Sequence, residues 1–318
     1  MGILPSFLLT VAAVALGIGW GVSLLSLALL PSLRGRRAAL RADAAALAGV
    51  LPAVAALAAG AAVALPSLRY AVGAGDDHCA DHLHHLHLCW AHAHPLPWSL
   101  GLPLALLLAT VPLQLAQAAI RLWRVGRVAA RLVRLGERAG GIVWLPGTRA
   151  ICHTVGLVSP VILLSRPLEA TLSPEELEAA VQHERAHAAR RDPAWGALLA
   201  LCAAFGVPGV GRRWSQIRAD AAEQIADDAA AARAGAGVVA AALLKVARLQ
   251  IAPIPAPAFG AEGLEGRVRR LLDGPEAPRP ARASSWLAAL IGSAVVLVAL
   301  GHEPAHHLIE AGVSLLIR

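Results

Sequence analysis

The most informative stretch of this chain is Val181-Gln182-His183-Glu184-Arg185-Ala186-His187. It places two imidazoles four residues apart, with a carboxylate directly after the first. On a helix, residues i and i+4 share a face, so His183 and His187 can reach one metal ion. Glu184 then lies beside that ion, where a carboxylate can accept a proton from water. The stretch predicts a helix that carries part of a metal site.

Upstream, Ser173 is suited to the N-cap, Pro174 to the first helical position and Glu176 to the third. This is the pattern of a capping box, and it predicts that the helix begins at Pro174.

A pair of acidic residues downstream repeats the four-residue spacing. Glu223 and Asp227 fall on one predicted helical face. Catalytic zinc usually takes three protein ligands, so two histidines need a third. We expect Glu223 to be that ligand, and Asp227 to hold the outer ring nitrogen of a zinc-bound histidine. The alternative is two surface helices with ordinary charges.

Residues 183–187 form the pattern H-E-x-x-H, and the same pattern occurs a second time at residues 302–306. No E-x-x-x-D pair follows it, and Pro304 is tolerated only in the first turn of a helix. We interpret this copy as a polar segment at the end of an apolar span.

Long apolar runs dominate the composition. The chain is 57% hydrophobic, above the roughly 45–50% of soluble domains, and its mean hydropathy is +0.60. Four uncharged runs reach the length of about 18–20 residues that spans a bilayer. They are residues 2–33, 44–68, 95–120 and 284–301. The sequence predicts a multi-pass membrane protein in contact with the lipid bilayer.

A fifth apolar run, residues 193–211, separates the halves of the expected zinc site. A full crossing there would put His183 and Glu223 on opposite faces of the membrane, whereas zinc ligands converge within about 2.0–2.2 Å of one ion. Arginines flank the run and Pro208 favours a bend. We expect a helix that is buried in the same domain or dips into the near leaflet.

Arginine placement predicts the orientation. Arginine-rich segments follow the first and third runs, and this bias is typical of cytoplasmic loops. Both termini are then outside the cell. The expected units are a three-span region (1–120) with an outer loop (69–97), a cytoplasmic zinc-binding domain (121–283), and a last span with a short outer tail (284–318). The net charge of +7 reflects membrane-flanking arginines, and we expect no direct nucleic-acid partner because no such binding motif is present.

Six of these arginines recur at helical spacing after the third run. They predict a basic amphipathic helix lying on anionic headgroups. The alternative is a solvated helix that links the third span to the domain. The six are Arg121, Arg124, Arg127, Arg131, Arg134 and Arg138.

Short β-like runs precede the metal-binding helix, at residues 142–145, 150–152 and 161–164. We expect a small sheet, either purely structural or with an edge that pairs with a peptide. His153 is a weaker candidate for an oxyanion donor, against the alternative of an ordinary core histidine.

Several of these segments, in this order, resemble the BlaR/MecR family of membrane zinc metallopeptidases of the gluzincin type. The resemblance implies a mainly α membrane protein with a cytoplasmic α+β domain, zinc held by His183, His187 and Glu223, and Glu184 as catalytic base. It also implies an endopeptidase that relays a signal by cleaving a BlaI/MecI-like transcriptional repressor. The matching segments are residues 156–164 (GLVSPVILL), 173–177 (SPEEL), 183–187 (HERAH), 191–192 (RD) and 223–228 (EQIADD).

The chain departs from that family in the segment expected to sense an antibiotic. Antibiotic sensors of the family carry a C-terminal penicillin-binding domain with a Ser-x-x-Lys nucleophile. Here the sole lysine is Lys245, with Ala242 three residues before it, so we expect no such sensor domain.

The E-x-x-A-D pattern of Glu223, Ala226 and Asp227 is also similar to that of HtpX and CAAX proteases. The alternatives are therefore a quality-control protease for membrane proteins and a non-catalytic sensor of metal or pH.

The outer loop contains seven histidines and two cysteines within residues 76–94. Imidazoles bind zinc or copper and titrate near pH 6.5, and Cys79 and Cys89 can form a disulfide on an oxidising face. The loop is a candidate metal or pH sensor, or a variable polar loop. The candidate ligands are His78, His82, His85 and His87. The substrate, the stimulus and the oligomeric state stay open.

Overall fold

The protein is mostly helical, with one small sheet, as the sequence predicted. The computed structural model describes residues 3–74, 97–147, 149–250, 263–274, 276 and 282–317. The helices are α1 (Ile3–Ser26), α2 (Leu30–Leu33), α3 (Ala38–Ala71), α4 (Trp98–Leu108), α5 (Thr110–Leu135), α6 (Arg166–Thr171), α7 (Pro174–Arg190), α8 (Asp192–Cys202), α9 (Val210–Ala234), α10 (Ala236–Gln250), α11 (Leu264–Asp273) and α12 (Ala283–Ile317), with short 3₁₀ turns at Leu27–Leu29 and Ala203–Phe205.

Among the described residues, four helical stretches are long and apolar enough to cross a membrane, which confirms that part of the prediction. They are Leu4–Leu33, Ala38–Ala71, Trp98–Leu135 and Ala283–Ile309. The second of these, α3, lies at the centre and packs against α1, α9 and α12. Its buried face consists largely of alanine, including Ala45, Ala46 and Ala56. Small side chains let neighbouring helix backbones approach closely.

The second H-E-x-x-H lies at the end of the apolar stretch Ala283–Ile309, as predicted. The expectation that Pro304 is tolerated only in a first turn is wrong, because α12 continues through this copy with Pro304 in its interior. Proline removes one backbone hydrogen bond from a helix. Here His302 and His306 are buried, and Arg69 Nη1 on α3 lies 2.9 Å from His302 Nε2. We attribute the uninterrupted helix to this packing against α3.

The position of the arginine-rich segment in the fold also differs from the prediction. Arg121 to Arg134 lie on α5, which belongs to the same long helical stretch as the third apolar run, so the expected border between residues 120 and 121 falls inside a helix. Arg138 lies in a strand rather than on this helix. The C-terminal end of α5 packs on the sheet through Leu132 and Val133. This arrangement favours the alternative of a helix that links the third span to the domain.

The sheet contains β1 (Glu137–Ala139), β2 (Ile142–Leu145), β3 (Cys152–Val155) and β4 (Val161–Ser165), in the order β1-β2-β4-β3. β2 and β4 are parallel, and the outer pairs are antiparallel. The sequence pattern did not predict β1. It predicted a strand at residues 150–152, whereas the observed β3 begins only at Cys152. Gly140 and Gly141 both have positive φ, which is typical of a two-residue hairpin turn between β1 and β2.

The two faces of the sheet pack on different helices. Ile142, Ile162 and Leu164 pack with Val181 of α7. Val143 and Leu163 lie on the opposite face, toward the end of α5. Because alternate strand residues point to opposite faces, the even-numbered side chains of β3 also face α7. The edge strand β3 is therefore the strand that reaches the predicted metal-binding helix.

Residues 193–211 form a bent excursion into the helical bundle and are not one of the long apolar helices. α8 and the following 3₁₀ turn enter the bundle, and α9 leaves it. Leu199 packs so closely on α3 that a Cβ at Gly49 would lie 2.5 Å from its Cδ2 atom. A Cβ at Gly19 of α1 would lie equally close to the backbone oxygen of Phe205. These glycines admit the excursion, which leaves α7 and α9 on the same side of the bundle.

Candidate metal centre

The helix that carries the first H-E-x-x-H begins as the sequence predicts. The Ser173 hydroxyl accepts a hydrogen bond from the Glu176 N–H, and the Ser173 N–H donates to the Glu176 carboxylate at 2.8 Å. This capping box is therefore confirmed. The helix buries Val181 against the sheet and turns His183 and His187 toward α9.

Three side chains converge between α7 and α9. His183 Nε2 and His187 Nε2 lie 3.1 Å apart, and each lies 3.5 Å from a carboxylate oxygen of Glu223. Within the described residues, these three form the one group of His, Cys, Asp or Glu side chains whose ligand atoms meet closely enough to hold a metal ion. The structure thus brings together the three residues that the sequence nominated as ligands.

The remaining ring nitrogen of His187 is held by a residue that sequence reasoning did not assign a role. His187 Nδ1 lies 2.8 Å from Asp192 Oδ2, and Arg218 donates to the other oxygen of Asp192 at 2.7 Å. Arg191 has a left-handed backbone, with φ 53°. It ends α7 and turns the chain so that Asp192, the first residue of α8, lies against the helix that has just ended.

His183 has a matching carboxylate on its outer side. Its Nδ1 lies 3.1 Å from Asp227 Oδ1, which is the position that the sequence predicted for Asp227. Arg267 of α11 donates hydrogen bonds to both carboxylate oxygens of Asp227, at 2.8 and 2.7 Å. It also lies 3.0 Å from Glu223 Oε2. Sequence reasoning missed this arginine, which anchors a predicted ligand and its neighbour together.

The charges of this cluster depend on one another. Burial alone would lower the pKa of His183, but Asp227 and Glu223 raise it to about 10. Burial raises the pKa of Glu223, yet His183, His187 and Arg267 together bring it well below its ordinary value. Asp227 likewise has a lowered pKa, because Arg267 and His183 outweigh its burial. The carboxylates therefore stay ionised and favour a cation between them.

Glu184 is buried on the side of α7 that faces the sheet. The Thr154 hydroxyl lies 2.7 Å from Glu184 Oε2 and 2.9 Å from the Glu184 backbone oxygen. His153, the adjacent residue of β3, points to the opposite face of the sheet and is exposed. The prediction of His153 as an oxyanion donor is therefore wrong, and Thr154 is the β3 residue that reaches the centre.

The outer loop and the second H-E-x-x-H are the other histidine-rich features of the sequence. The candidate outer ligands His78, His82, His85 and His87, together with Cys79 and Cys89, fall outside the described residues. The second H-E-x-x-H lies on α12, where His302 contacts Arg69 of α3 rather than the residues of this centre.

Comparisons with known proteins identify no relative. No protein-family model, no curated protein and no solved structure matches this chain. The chemical interpretation of the centre therefore depends on its own residues.

Proposed function

We propose that this protein is a membrane-bound zinc metalloendopeptidase whose site faces the cytoplasm. The observation that supports this most strongly is the convergence of His183 Nε2, His187 Nε2 and a Glu223 carboxylate, from two helices, beside the buried Glu184. A structural pair of helices has no need of two ring nitrogens 3.1 Å apart that face one carboxylate.

The donor set is suited to zinc. Two nitrogens bound tetrahedrally at 2.0–2.1 Å from one ion are about 3.3 Å apart, close to the separation of the two imidazoles. His187 Nδ1 lies 2.8 Å from Asp192 and His183 Nδ1 lies 3.1 Å from Asp227. A carboxylate beside the outer nitrogen favours the ring tautomer that leaves Nε2 to the ion. Two histidines and one glutamate, with room for water, make up a common catalytic zinc site.

The chain's own residues can then hydrolyse a peptide bond. Zinc held by these residues would supply Lewis acidity and lower the pKa of a water toward about 7. Glu184 is the residue that would accept a proton from a water molecule as the water oxygen bonds to the peptide carbonyl carbon. Glu184 then delivers this proton to the amine nitrogen as the C–N bond breaks. The Thr154 hydroxyl holds the Glu184 carboxylate in place for both transfers.

The four apolar helices cross the bilayer in this proposal. Arg34, Arg36 and Arg37 lie between the first and second stretches, and Arg121 to Arg134 lie on α5. The positive-inside rule places these segments, and the metal centre with them, in the cytoplasm. Both termini and the loop 69–97 are then outside the cell.

The substrate is a protein on the cytoplasmic side. The outer edge of β3, next to Glu184, is the place where an extended peptide can add a strand. The resemblance to the BlaR/MecR family makes a BlaI/MecI-like repressor one candidate substrate. A quality-control protease for membrane proteins is the second candidate, and the closeness of the centre to the apolar bundle favours it.

Metal removal tests the proposal. The full chain, purified into lipid nanodiscs, should cleave an unstructured casein, lose this activity to a chelator and regain it with zinc. Glu223→Ala should retain neither zinc nor activity, with Glu178→Ala at an exposed position of α7 as matched control. A non-catalytic sensor predicts no cleavage at any zinc level, and that result would contradict the proposal.

A further inference from the structure

The cytoplasmic boundary of the apolar bundle can be located from charged residues. Asp43 is the last charged residue of α3 before the uncharged run 44–68. Its carboxylate accepts hydrogen bonds from the backbone N–H groups of Arg282 and Ala283, at 3.3 and 3.2 Å. Ala283 is the first residue of α12. Two apolar helices therefore begin at one level, and the Asp43 carboxylate marks it.

Helix α9 extends across this level. Its Trp214 packs with Ala45 and Ala48, just inside the boundary. Farther along, Ala221 and Ile225 pack against the first turns of α3, just outside it. Arg218 lies one helical turn from Trp214, between these two groups. The Arg218 guanidinium is thus level with the start of the hydrocarbon region.

The metal centre is connected directly to Arg218. Arg218 donates to Asp192 at 2.7 Å, and Asp192 lies 2.8 Å from His187. Glu223 follows Arg218 by five residues on α9, a rise of about 7.5 Å. Two polar contacts join Arg218 to His187, and at most two helical turns separate Arg218 from Glu223. The centre therefore lies within about 10 Å of the boundary.

Polar contacts inside the bundle hold the centre at this height. The Val207 N–H donates to the Ser23 hydroxyl at 3.1 Å, and the Trp214 indole N–H donates to the Ser26 hydroxyl at 2.9 Å. Both serines are buried on the first apolar helix. Because the excursion between α7 and α9 is bonded into the bundle, the centre is not expected to rise away from the membrane surface.

An exposed apolar turn lies on the same side. β3 and α7 run in the same direction, since Cys152 contacts Ala180 and Thr154 contacts Glu184. The turn after β3 therefore extends toward the C-terminal end of α7, where the chain passes into the bundle. Its Leu157 and Val158 are 47% and 81% exposed. Apolar side chains at this level are suited to the lipid–water boundary.

We propose that the natural substrates are polypeptides that are themselves anchored in the membrane, cut in the segment that emerges from the bilayer. This inference rests on the proposed peptidase function. An extended chain covers about 3.3 Å per residue, so a chain leaving the bilayer passes the centre within its first few residues. A soluble protein must instead bring an unfolded segment to the membrane surface.

The position of the cut relative to an anchor tests this inference. An unstructured casein segment is fused to a single apolar anchor helix at its N-terminus, at its C-terminus, or to no anchor. Each substrate is incubated with the zinc-loaded full chain in nanodiscs, with Glu184→Gln as control for contaminating proteases. Cut sites are mapped by mass spectrometry.

We expect cuts within about ten residues of the anchor, at different casein sequences for the two anchored forms. Anchored casein should be cleaved at least about tenfold faster than free casein, because the anchor raises the local concentration of the segment. The same cut sites whichever end is anchored would overturn the inference and leave the peptidase function standing. No cleavage of any form by zinc-loaded protein would overturn both.

Discussion

The chain contains the pattern H-E-x-x-H twice, in two different surroundings. Both copies lie on helices and place two buried or half-buried histidines on one face. On α7, the Nδ1 atom of each histidine lies beside its own aspartate, Asp227 for His183 and Asp192 for His187. Both Nε2 atoms face the shared carboxylate of Glu223. On α12, His302 Nε2 accepts a hydrogen bond from the Arg69 guanidinium, and the Glu303 side chain is 69% exposed.

The difference shows what the short pattern leaves undetermined. Two imidazoles attract a divalent cation only where their surroundings are negative and their lone pairs converge. Asp192, Glu223 and Asp227 provide those surroundings on α7. Arg267 also lies at the α7 centre, but Asp227 and Glu223 balance its charge. At His302 the Arg69 guanidinium contacts the ring, and the Glu303 side chain is exposed, so a second cation there is opposed. We therefore expect the two copies to respond very differently to the same substitution.

The largest contrast concerns the two glutamates. Glu184→Gln removes the proton acceptor and should lower kcat/KM by about 10²–10⁴-fold, with zinc retained. Glu303→Gln, the matched change on α12, should leave activity unchanged. Casein cleavage and zinc content of the two variants measure both effects. Equal losses would abolish the distinction between the copies.

Zinc affinity at the α7 copy should depend on pH. With the pKa of His183 raised to about 10 in the metal-free protein, its ring carries a proton throughout the neutral range, and zinc must displace that proton. Affinity should rise about tenfold per pH unit, or about 100-fold from pH 6 to pH 8.

The same shift predicts the opposite trend for the metal-free fold. A raised histidine pKa stabilises the fold fully below the ordinary value of 6.5, and this contribution is lost as pH rises toward 10. Chelator competition at several pH values measures zinc affinity, and denaturation of the metal-free protein measures the trend in stability. A zinc affinity that is flat from pH 6 to pH 8 would contradict the proton displacement.

The carboxylates behind the ligands should have an intermediate effect. Asp192→Asn and Asp227→Asn remove the negative partners of His187 and His183, and each should weaken zinc binding about 10–100-fold. His302→Ala, which removes the partner of Arg69 instead, should leave zinc affinity unchanged. Weakening by His302→Ala as large as that by Asp192→Asn would mean that the α12 copy also binds the metal.

The smallest effect concerns Thr154. A hydrogen bond to a charged group contributes at least about 1.5 kcal/mol, so Thr154→Val should lower kcat by at least roughly tenfold with zinc affinity unchanged. Thr154→Ser keeps the hydroxyl and should restore most of the rate. His153→Ala, on the opposite face of the sheet, is the control. A slow His153→Ala with a normal Thr154→Val would reverse their assignment.

Local spacing explains which parts of the centre the sequence could predict. Two i, i+4 pairs, His183 with His187 and Glu223 with Asp227, fall on helix faces without further information. Glu184 directly follows the first histidine. The four apolar helices were predictable for a similar reason, because length and hydropathy suffice. The sheet was predicted less well. β1 is polar and exposed, and only the Gly140-Gly141 turn signalled the hairpin.

The residues that were missed depend on tertiary contacts. Arg267 lies on a short helix between two proline-rich segments, and only the packing of α11 on α9 brings it to Asp227. Asp192 carried a weak signal, because an aspartate before Pro193 is typical of a helix start. Its contact with His187 requires the left-handed turn at Arg191, which spacing alone does not reveal.

X-ray absorption at the zinc K-edge of the purified full chain tests the meeting of α7 and α9 around one ion most directly. We expect one zinc per chain, bound by two imidazole nitrogens and by oxygen at about 2.0–2.2 Å. The imidazole signal should disappear in the double variant His183→Ala/His187→Ala and persist in His302→Ala/His306→Ala. A protein without zinc, or an imidazole signal lost only in the α12 variant, would contradict the assignment of the metal centre.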